Sequence, residues 1–125
     1  IVYGFSWRWK FSRLISSGRF MIDIEHFAQV ALRVGRILEA EQVPKSKKLL
    51  KLLVDLGEES KRQILSGIAE HYTPEQLVGK SIVVVANLKP AQFMGLESQG
   101  MILAVDNGER VTVIEVDAAP GSVVR

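Results

Sequence analysis

The chain has 125 residues, so a single domain is expected, and its 47% apolar and 24% charged residues exclude disordered, collagen-like and coiled-coil classes. Apolar runs reach only about five residues, against the roughly 20 needed to span a bilayer, and the absence of cysteine excludes disulfides, thiol catalysis and thiolate zinc sites. The formal charge is +2, but residues 1–20 carry four basic side chains and no acidic one, so the pI near 9.1 does not show that the rest of the chain binds nucleic acid.

Residues 1–20 differ in composition from everything that follows. They hold both tryptophans and begin with Ile, and Met21 comes directly after them. Three interpretations are open: sequence upstream of a natural start at Met21, including an expression remnant; an acid-poor targeting stretch; or the tail of a preceding region in a larger protein. We therefore predict two parts, with residues 1–20 outside the fold and residues 21–125 forming one domain.

From Met21 the chain predicts a short helix and then strands. Asp23 can cap a turn of helix along an apolar stripe that ends near Val30. The alternation that follows predicts a long strand broken at Gly35, which is the usual place for a bulge or a barrel corner. Leu49–Leu56 could be a strand or a helix, and Pro44 before it and Gly57 after it favour a strand in a hairpin with Arg62–Leu65.

The second half of the chain predicts one more short helix and the remaining strands. Thr73–Gln76 has an N-cap threonine, a proline at the first helical position and a glutamine placed to return the capping bond. Ile82–Ala86 and Met101–Val105 predict buried strands, and the turn residues 106–108 lead to a partner strand at Val111–Val116. Five strands with a helix between the third and the fourth predict an all-β fold of the five-stranded OB-barrel type, with an N-terminal helix and a C-terminal extension.

No segment predicts catalysis. His26 and His71 are the only histidines, and both are expected at surface or half-buried positions. Ser98 lacks the glycine two residues before it that a nucleophile elbow requires, and phosphate-cradling glycine motifs are absent from the sequence. We predict a protein that is not an enzyme and has no catalytic residue, cofactor or metal.

Two segments are candidates for binding. Lys45, Lys47, Lys48 and Lys51 fall within seven positions with no acidic residue among them, and Arg33 lies upstream. Such a cluster is either a solvated loop or a rim that contacts phosphates. The second segment begins at Asn87-Leu88-Lys89-Pro90 and runs through about ten polar loop residues, which is either a plain connection or a functional loop.

The aromatic residues limit the kind of nucleic acid that could bind. From Met21 onward the chain offers only Phe27, Tyr72 and Phe93. These are too few to stack a run of single-stranded bases. If the barrel binds RNA, we expect it to hold the phosphates and 2′-hydroxyls of a folded shape.

Six segments of the chain together resemble a known family. They occur in order at the family's separations and cover about residues 22–124. The segments are Val30–Gly35, Ser46–Leu52, Ser66–Ala69, Tyr72–Glu75, Ala86–Pro90 and Gly95–Met101. The whole resembles the bacterial tRNA-binding domain found at the C-terminus of methionyl-tRNA synthetase and as a free-standing tRNA-binding protein.

The resemblance implies a cytoplasmic homodimer that binds tRNA by shape and supplies no catalysis. In a synthetase such a module raises the local tRNA concentration at a separate active site. The predicted tRNA contacts, taken from the family's signature loop and basic hairpin and from the basic residues beside them, are Arg33, Lys45, Lys47, Lys48, Lys51, Asn87, Lys89, Ser98 and Met101. The lysines would neutralise phosphates, Asn87 and Ser98 would bond backbone or ribose, and Met101 would shape the surface.

Two departures from the family pattern affect the expectation. Ala91 and Gln92 stand where relatives often carry a basic pair, which lowers the expected affinity. Ala31 stands where relatives often have aspartate, and only a local effect is expected there.

Apolar residues outside the barrel plan support the dimer. Ile22, Ile24 and Phe27, with the C-terminal valines, must pack either on the barrel or across a twofold interface.

Three hypotheses for function remain. The leading hypothesis is a tRNA-binding module, which is either free-standing or a piece of methionyl-tRNA synthetase. The composition of residues 1–20 favours a free-standing protein, and methionyl-tRNA synthetase is then a possible partner. The others are a protein-binding module like a secretion-related chaperone family, and a domain that dimerises a synthetase. No membrane partner is expected.

Overall fold

The structure, a computed structural model, describes residues 21–125, so the predictions for residues 1–20 lie outside the described residues. In chain order the elements are α1 (Ile24–Ala28), β1 (Leu32–Gln42), β2 (Leu50–Asp55), β3 (Arg62–Ser66), α2 (Pro74–Leu77), β4 (Ser81–Val85), β5 (Ala91–Phe93), β6 (Leu96–Ser98), β7 (Met101–Ile102), β8 (Ala104–Asp106), β9 (Val111–Val113) and β10 (Val123–Val124). Neither helix of this part of the chain is long and apolar enough to cross a membrane.

The main sheet curves into a nearly closed barrel of five antiparallel strands. Its strand order is β3-β2-β1-β4-β7, and β10 pairs with the start of β1 on the edge that β2 leaves unpaired. The predicted all-β barrel is confirmed, with α2 between the third and fourth strands as expected.

The barrel closes between β3 and residues 97–100 through side chains as well as backbone. The Leu65 N–H donates to Ser98 Oγ at 3.0 Å, and this hydroxyl donates to the Gly100 carbonyl at 2.9 Å. The backbone N–H of Gln99 donates to the Gln63 carbonyl at 2.8 Å, and the Gln63 N–H donates to Gln99 Oε1 at 2.9 Å. Side-chain oxygens therefore take the place of a regular strand ladder along this closure, which we call the seam.

The core follows from strand alternation. In β2 every second side chain is buried, and most buried residues of the barrel strands form one apolar cluster. Val85 and Met101 form a second cluster, and Leu65 forms a third with Val43 and Leu49. Gly35 allows this packing, because a Cβ there would lie 2.6 Å from Val54 Cγ1 and 3.0 Å from Val84 Cγ2. The predicted break of the strand at Gly35 is wrong: β1 is continuous through it, and the register with β2 shifts between Ile37 and Glu39.

Other boundaries differ from the prediction in the second half. The single strand expected at Met101–Val105 divides at Leu103 into β7, which pairs with β4, and β8, which pairs with β9. The loop after Pro90 contains an unpredicted hairpin, β5–β6. The predicted start of α2 is confirmed, with Gln76 Oε1 accepting the Thr73 N–H at 2.8 Å.

The C-terminal extension returns to the start of β1. The Val34 N–H donates to the Ser122 carbonyl at 2.9 Å, and the Gly121 N–H donates to the Val34 carbonyl at 2.8 Å. Gly121 has a φ of +87°, and a Cβ there would lie 2.9 Å from the Leu56 carbonyl oxygen, so the extension requires glycine to approach the barrel this closely.

Candidate nucleic-acid interface

The lysine loop, residues 43–49 between β1 and β2, is a fixed turn with buried ends. Val43 and Leu49 are buried with Leu65, and the Val43 N–H donates to the Leu49 carbonyl at 3.1 Å. Ser46 Oγ accepts the N–H groups of Lys48 at 3.3 Å and of Leu49 at 3.1 Å. Because its ends are packed and its turn is hydrogen-bonded, the loop projects its polar side chains into solvent from a defined backbone.

The loop exposes three cations on one short segment. Lys45, Lys47 and Lys48 are all exposed. Lys45 takes a φ of 69°, an uncommon conformation for a residue other than glycine. Lys51, the second residue of β2, forms an ion pair with Glu41, so part of its charge is offset within the protein.

The β5–β6 hairpin lies beside the lysine loop. Phe93 and Leu96 pack against the buried cluster formed by Val43, Leu49 and Leu65. Met94 and Gly95 form the tip with positive φ values of 51° and 79°, and Met94 is 57% exposed. Sequence reasoning missed Met94 as a surface residue of the site. Gly95 was the only local signal of a turn there, because methionine is not a residue type associated with positive φ.

Three of the residues predicted in the signature loop have internal contacts. The carboxamide of Asn87 bonds the backbone of Ala31 and Gln29, at 2.9 and 2.6 Å. Ser98 is fully buried at the seam, and Met101 is 7% exposed and packs with Val85. These side chains therefore have contacts inside the protein, and their role in binding tRNA stays a prediction.

The remaining predicted cations are separated. Lys89 is exposed in the segment that leaves β4. Arg33 is exposed at the start of β1 and donates to the Gly121 carbonyl at 3.3 Å. The lysine loop follows the end of the same 11-residue strand, so the structure does not bring Arg33 and the lysine loop together.

An open groove of about 510 Å³ lies between the β2–β3 turn and the Leu88–Pro90 segment. Its two cations are already paired, since Arg62 Nε lies 2.8 Å from Glu58 Oε1 and Lys61 Nζ lies 3.4 Å from Asp55 Oδ1. The hydrogen bond from Arg62 lowers the pKa of Glu58 below its ordinary value. The pKa of Asp55 is also lowered, first by the Gly57 N–H and then by Lys61. The groove therefore adds little positive charge to the surface.

The described residues contain no group of three or more histidine, cysteine, aspartate or glutamate side chains that could hold a metal ion. The titratable groups with lowered pKa values are carboxylates that accept hydrogen bonds at the surface.

Small OB-type barrels of this kind include many nucleic-acid-binding modules. The family model described as "Putative tRNA binding domain" matches residues 32–123, and the chain belongs to this family. The predicted family is therefore confirmed.

Relatives and solved structures agree with this assignment. The chain is 55% identical over 117 residues to the methionine–tRNA ligase of Thermotoga maritima, covering 92% of this chain and 18% of that protein. It is 57% identical over 106 residues to the same enzyme of Methanococcus aeolicus, covering 83% of this chain and 16% of that one. The chain thus spans less than a fifth of the length of these curated relatives.

Two solved structures share the fold over most of this chain. A MetRS related protein from Pyrococcus horikoshii has a TM-score of 0.80 and 38% identity, covering 85% of this chain and 99% of that one. The chaperone CsaA from Bacillus anthracis has a TM-score of 0.76 and 28% identity, covering 85% of this chain and 100% of that one.

Proposed function

We propose that this chain is a non-catalytic module that binds tRNA by its folded shape, either free-standing or as part of a methionyl-tRNA synthetase. In the second case it would raise the tRNA concentration at a separate active site. The observation that carries the proposal is the lysine loop, where a hydrogen-bonded backbone presents three exposed lysines beside the β5–β6 hairpin. We place residues 21–125 in the RNA-binding domain, residues 1–20 outside it, and the protein in the cytoplasm.

The proposed contacts divide by charge and exposure. Lys45, Lys47 and Lys48 neutralise phosphates, Lys89 adds a further cation, and Met94 offers an apolar contact at the hairpin tip. Lys51 contributes less because of Glu41, and Arg33 forms a separate, smaller contact. Asn87, Ser98 and Met101 are left out of the contact surface because their polar or apolar atoms are used inside the protein.

The aromatic residues support binding by shape. Phe93 is half-buried against the lysine loop, and Tyr72 accepts the Val113 N–H at its hydroxyl, at 3.0 Å. Phe27 lies on α1, away from the loop in sequence, and is 45% exposed. These residues do not form the row of exposed rings that stacks single-stranded bases, so phosphate contacts dominate.

Binding of fluorescent tRNA to the 125-residue chain, measured by anisotropy at several salt concentrations, tests the proposal. Single-stranded RNA and duplex DNA serve as competitors. We expect tRNA to be preferred and its affinity to fall steeply with salt, because each neutralised phosphate releases counterions. The double substitution Lys47→Ala with Lys48→Ala should weaken binding and reduce the slope of log affinity against log salt by about 1.5–2.

The matched control removes the same charge elsewhere. Lys80 pairs with Glu115 at 3.1 Å, and Arg110 lies exposed in the β8–β9 turn. Lys80→Ala with Arg110→Ala should leave the salt slope nearly unchanged. Equal losses in both double variants would mean a response to net charge alone, and an absence of tRNA preference in the unaltered chain would reject the function.

We further propose a homodimer formed through α1. No side chain of α1 is buried, and Ile24 and Phe27 are 72% and 45% exposed. Met21, Ile22 and Val30, which flank the helix, are also exposed. An apolar surface of this kind on a small domain is typical of an interface, and a twofold axis would place two lysine loops on one particle.

Sedimentation velocity tests the dimer. Phe27→Asp should give a monomer, because it places a charge in the proposed interface. Val105→Asp, which changes a valine that is 56% exposed on β8, is the matched control and should leave the dimer intact. A dimer that survives Phe27→Asp would exclude α1 as the interface.

A protein-binding module is the second candidate function. The exposed apolar surface around α1 and the likeness to the chaperone CsaA favour it. Binding of unfolded peptides distinguishes the two functions. A protein-binding module would bind such peptides, and Lys47→Ala with Lys48→Ala would not change that affinity. A domain that only dimerises a synthetase would bind neither ligand.

A further inference from the structure

Asn87 joins α1 to the end of β4. Its Oδ1 accepts the Ala31 N–H at 2.9 Å, and its Nδ2 donates to the Gln29 carbonyl at 2.6 Å. Next to it, the Ala86 N–H donates to the Ala31 carbonyl at 2.8 Å. Three hydrogen bonds therefore fix the segment that connects α1 to β1.

The helix itself contributes little packing to this attachment. None of its side chains is buried, and Asp23 caps it from within by accepting the His26 N–H at 3.0 Å. The orientation of α1 relative to the barrel thus depends on its C-terminal connection, where both polar atoms of the Asn87 carboxamide are used.

The barrel end of this connection is itself held firmly. Arg62 Nη1 donates to the Ala86 carbonyl at 2.6 Å and to the Gln99 carbonyl at 3.1 Å, while Glu58 accepts from the other side of the guanidinium. The end of β4 is therefore tied to the seam, and Asn87 transfers that fixed position to α1.

We propose that Asn87 is a positioning residue that holds α1 in the orientation in which two copies pair, and that tRNA affinity depends on Asn87 through α1 and not through a direct contact. The inference rests on the proposed function, since it assumes that pairing through α1 places two basic surfaces on one tRNA. It assigns the asparagine of the signature loop to assembly of the binding surface.

The test is a double-mutant cycle between Asn87→Ala and Phe27→Asp in the full chain. Dimer dissociation is measured by sedimentation and tRNA binding by anisotropy, and thermal unfolding confirms that each variant is folded. Asn107→Ala is the matched control. Asn107 Oδ1 also accepts backbone N–H groups, from Glu109 at 3.0 Å and from Arg110 at 2.8 Å, but it lies in the β8–β9 turn.

Asn87→Ala should weaken the dimer on the order of tenfold, because two backbone groups lose their partner in each copy. It should weaken tRNA binding in the otherwise unaltered chain, yet change the tRNA affinity of the Phe27→Asp monomer by less than about twofold. Asn107→Ala should change neither quantity. Asn87→Asp is the variant to use if alanine unfolds the chain: it keeps the size and places a carboxylate oxygen against the Gln29 carbonyl, so it should weaken the dimer as well.

Three results would overturn the inference. The first is a loss of tRNA affinity with Asn87→Ala that is as large in the monomer as in the dimer, which would make Asn87 a direct contact. The second is an unchanged dimer in both Asn87 variants, and the third is a monomeric wild type. If the wild type is a dimer without tRNA preference, the proposed function fails, and the dimer measurements still decide whether Asn87 holds α1.

Discussion

Ser98 and Ser66 are both buried, and their hydroxyls have different surroundings. Ser98 Oγ accepts the Leu65 N–H at 3.0 Å and donates to the Gly100 carbonyl at 2.9 Å, so it completes the seam of the barrel. Ser66 Oγ has no hydrogen-bond partner in the described part of the protein. Replacing each serine by alanine therefore separates the effect of losing a buried hydroxyl from the effect of losing a structural hydrogen bond.

We expect Ser98→Ala to lower the free energy of unfolding by about 1–3 kcal/mol, because the buried Leu65 N–H is left without an acceptor. Ser66→Ala should change it by less than about 0.5 kcal/mol or increase it slightly, since no bond is lost. Urea denaturation measures both. If Ser98→Ala left stability unchanged and still weakened tRNA binding, Ser98 would return to the contact surface.

Sequence reasoning at the level of residues identified the exposed cations but not the internal hydrogen bonds of the polar residues in the signature loop. Lysine is rarely buried, so a cluster such as Lys45–Lys48 predicts its own exposure. The partners of Ser98 and Asn87 could not be predicted in the same way. Ser98 bonds a backbone group 33 positions away and Asn87 one 56 positions away, and composition and local spacing do not specify such pairings.

Among the elements, β1 depends most on a single small residue. It is 11 residues long and passes beneath the side chains of both neighbouring strands at Gly35. The sequence pattern predicted the strand, because alternation and glycine are visible locally. It placed the irregularity wrongly, because the shift between Ile37 and Glu39 arises from pairing with β2.

Gly35→Ala should destabilise the barrel by about 1–3 kcal/mol, because the added methyl group would lie 2.6 Å from Val54 Cγ1. Val54→Ala removes that methyl group at its own cavity cost. The double variant should therefore lose less stability than the sum of the losses of the two single variants. Thermal unfolding of the wild type, both single variants and the double variant measures this difference. Strictly additive losses would contradict the close approach.

The two hairpins of the second half show the limit of local signals. Residues 106–108 predicted a turn because Asp-Asn-Gly favours one, and Gly108 does adopt a positive φ of 93°. Strands β5 and β6 have only three residues each, and Met94 at their turn is not a residue type associated with positive φ. That hairpin depends on packing against the lysine loop, which the sequence does not reveal.

At the scale of the molecule, the number and spacing of strands were enough to predict the barrel. Short strands at regular intervals with one intervening helix restrict the topology to few solutions. The return of the extension to β1 was not predicted in detail, because Val123 and Val124 form a strand of two residues that pairs far away in the chain.

The proposed dimer makes stability depend on concentration. If folded copies associate, a tenfold increase in protein concentration adds about 1.4 kcal/mol per dimer, which should raise the Tm by a few degrees. Phe27→Asp should abolish this dependence of Tm on concentration, while Val105→Asp, the reference variant, should retain it. A Tm that is constant between micromolar and millimolar wild-type protein would contradict the dimer.

The pairing of β10 with β1 also determines the order in which the chain can fold. Leu32 lies opposite Val124, roughly 90 residues later, and Val34 exchanges hydrogen bonds with Gly121 and Ser122. Contacts of such high sequence separation close large loops and form slowly. During synthesis, β1 and β2 can pair early, while the start of β1 (residues 32–34) lacks its partner on that edge until the extension has been made. Over that interval this short edge can pair with a neighbouring nascent chain.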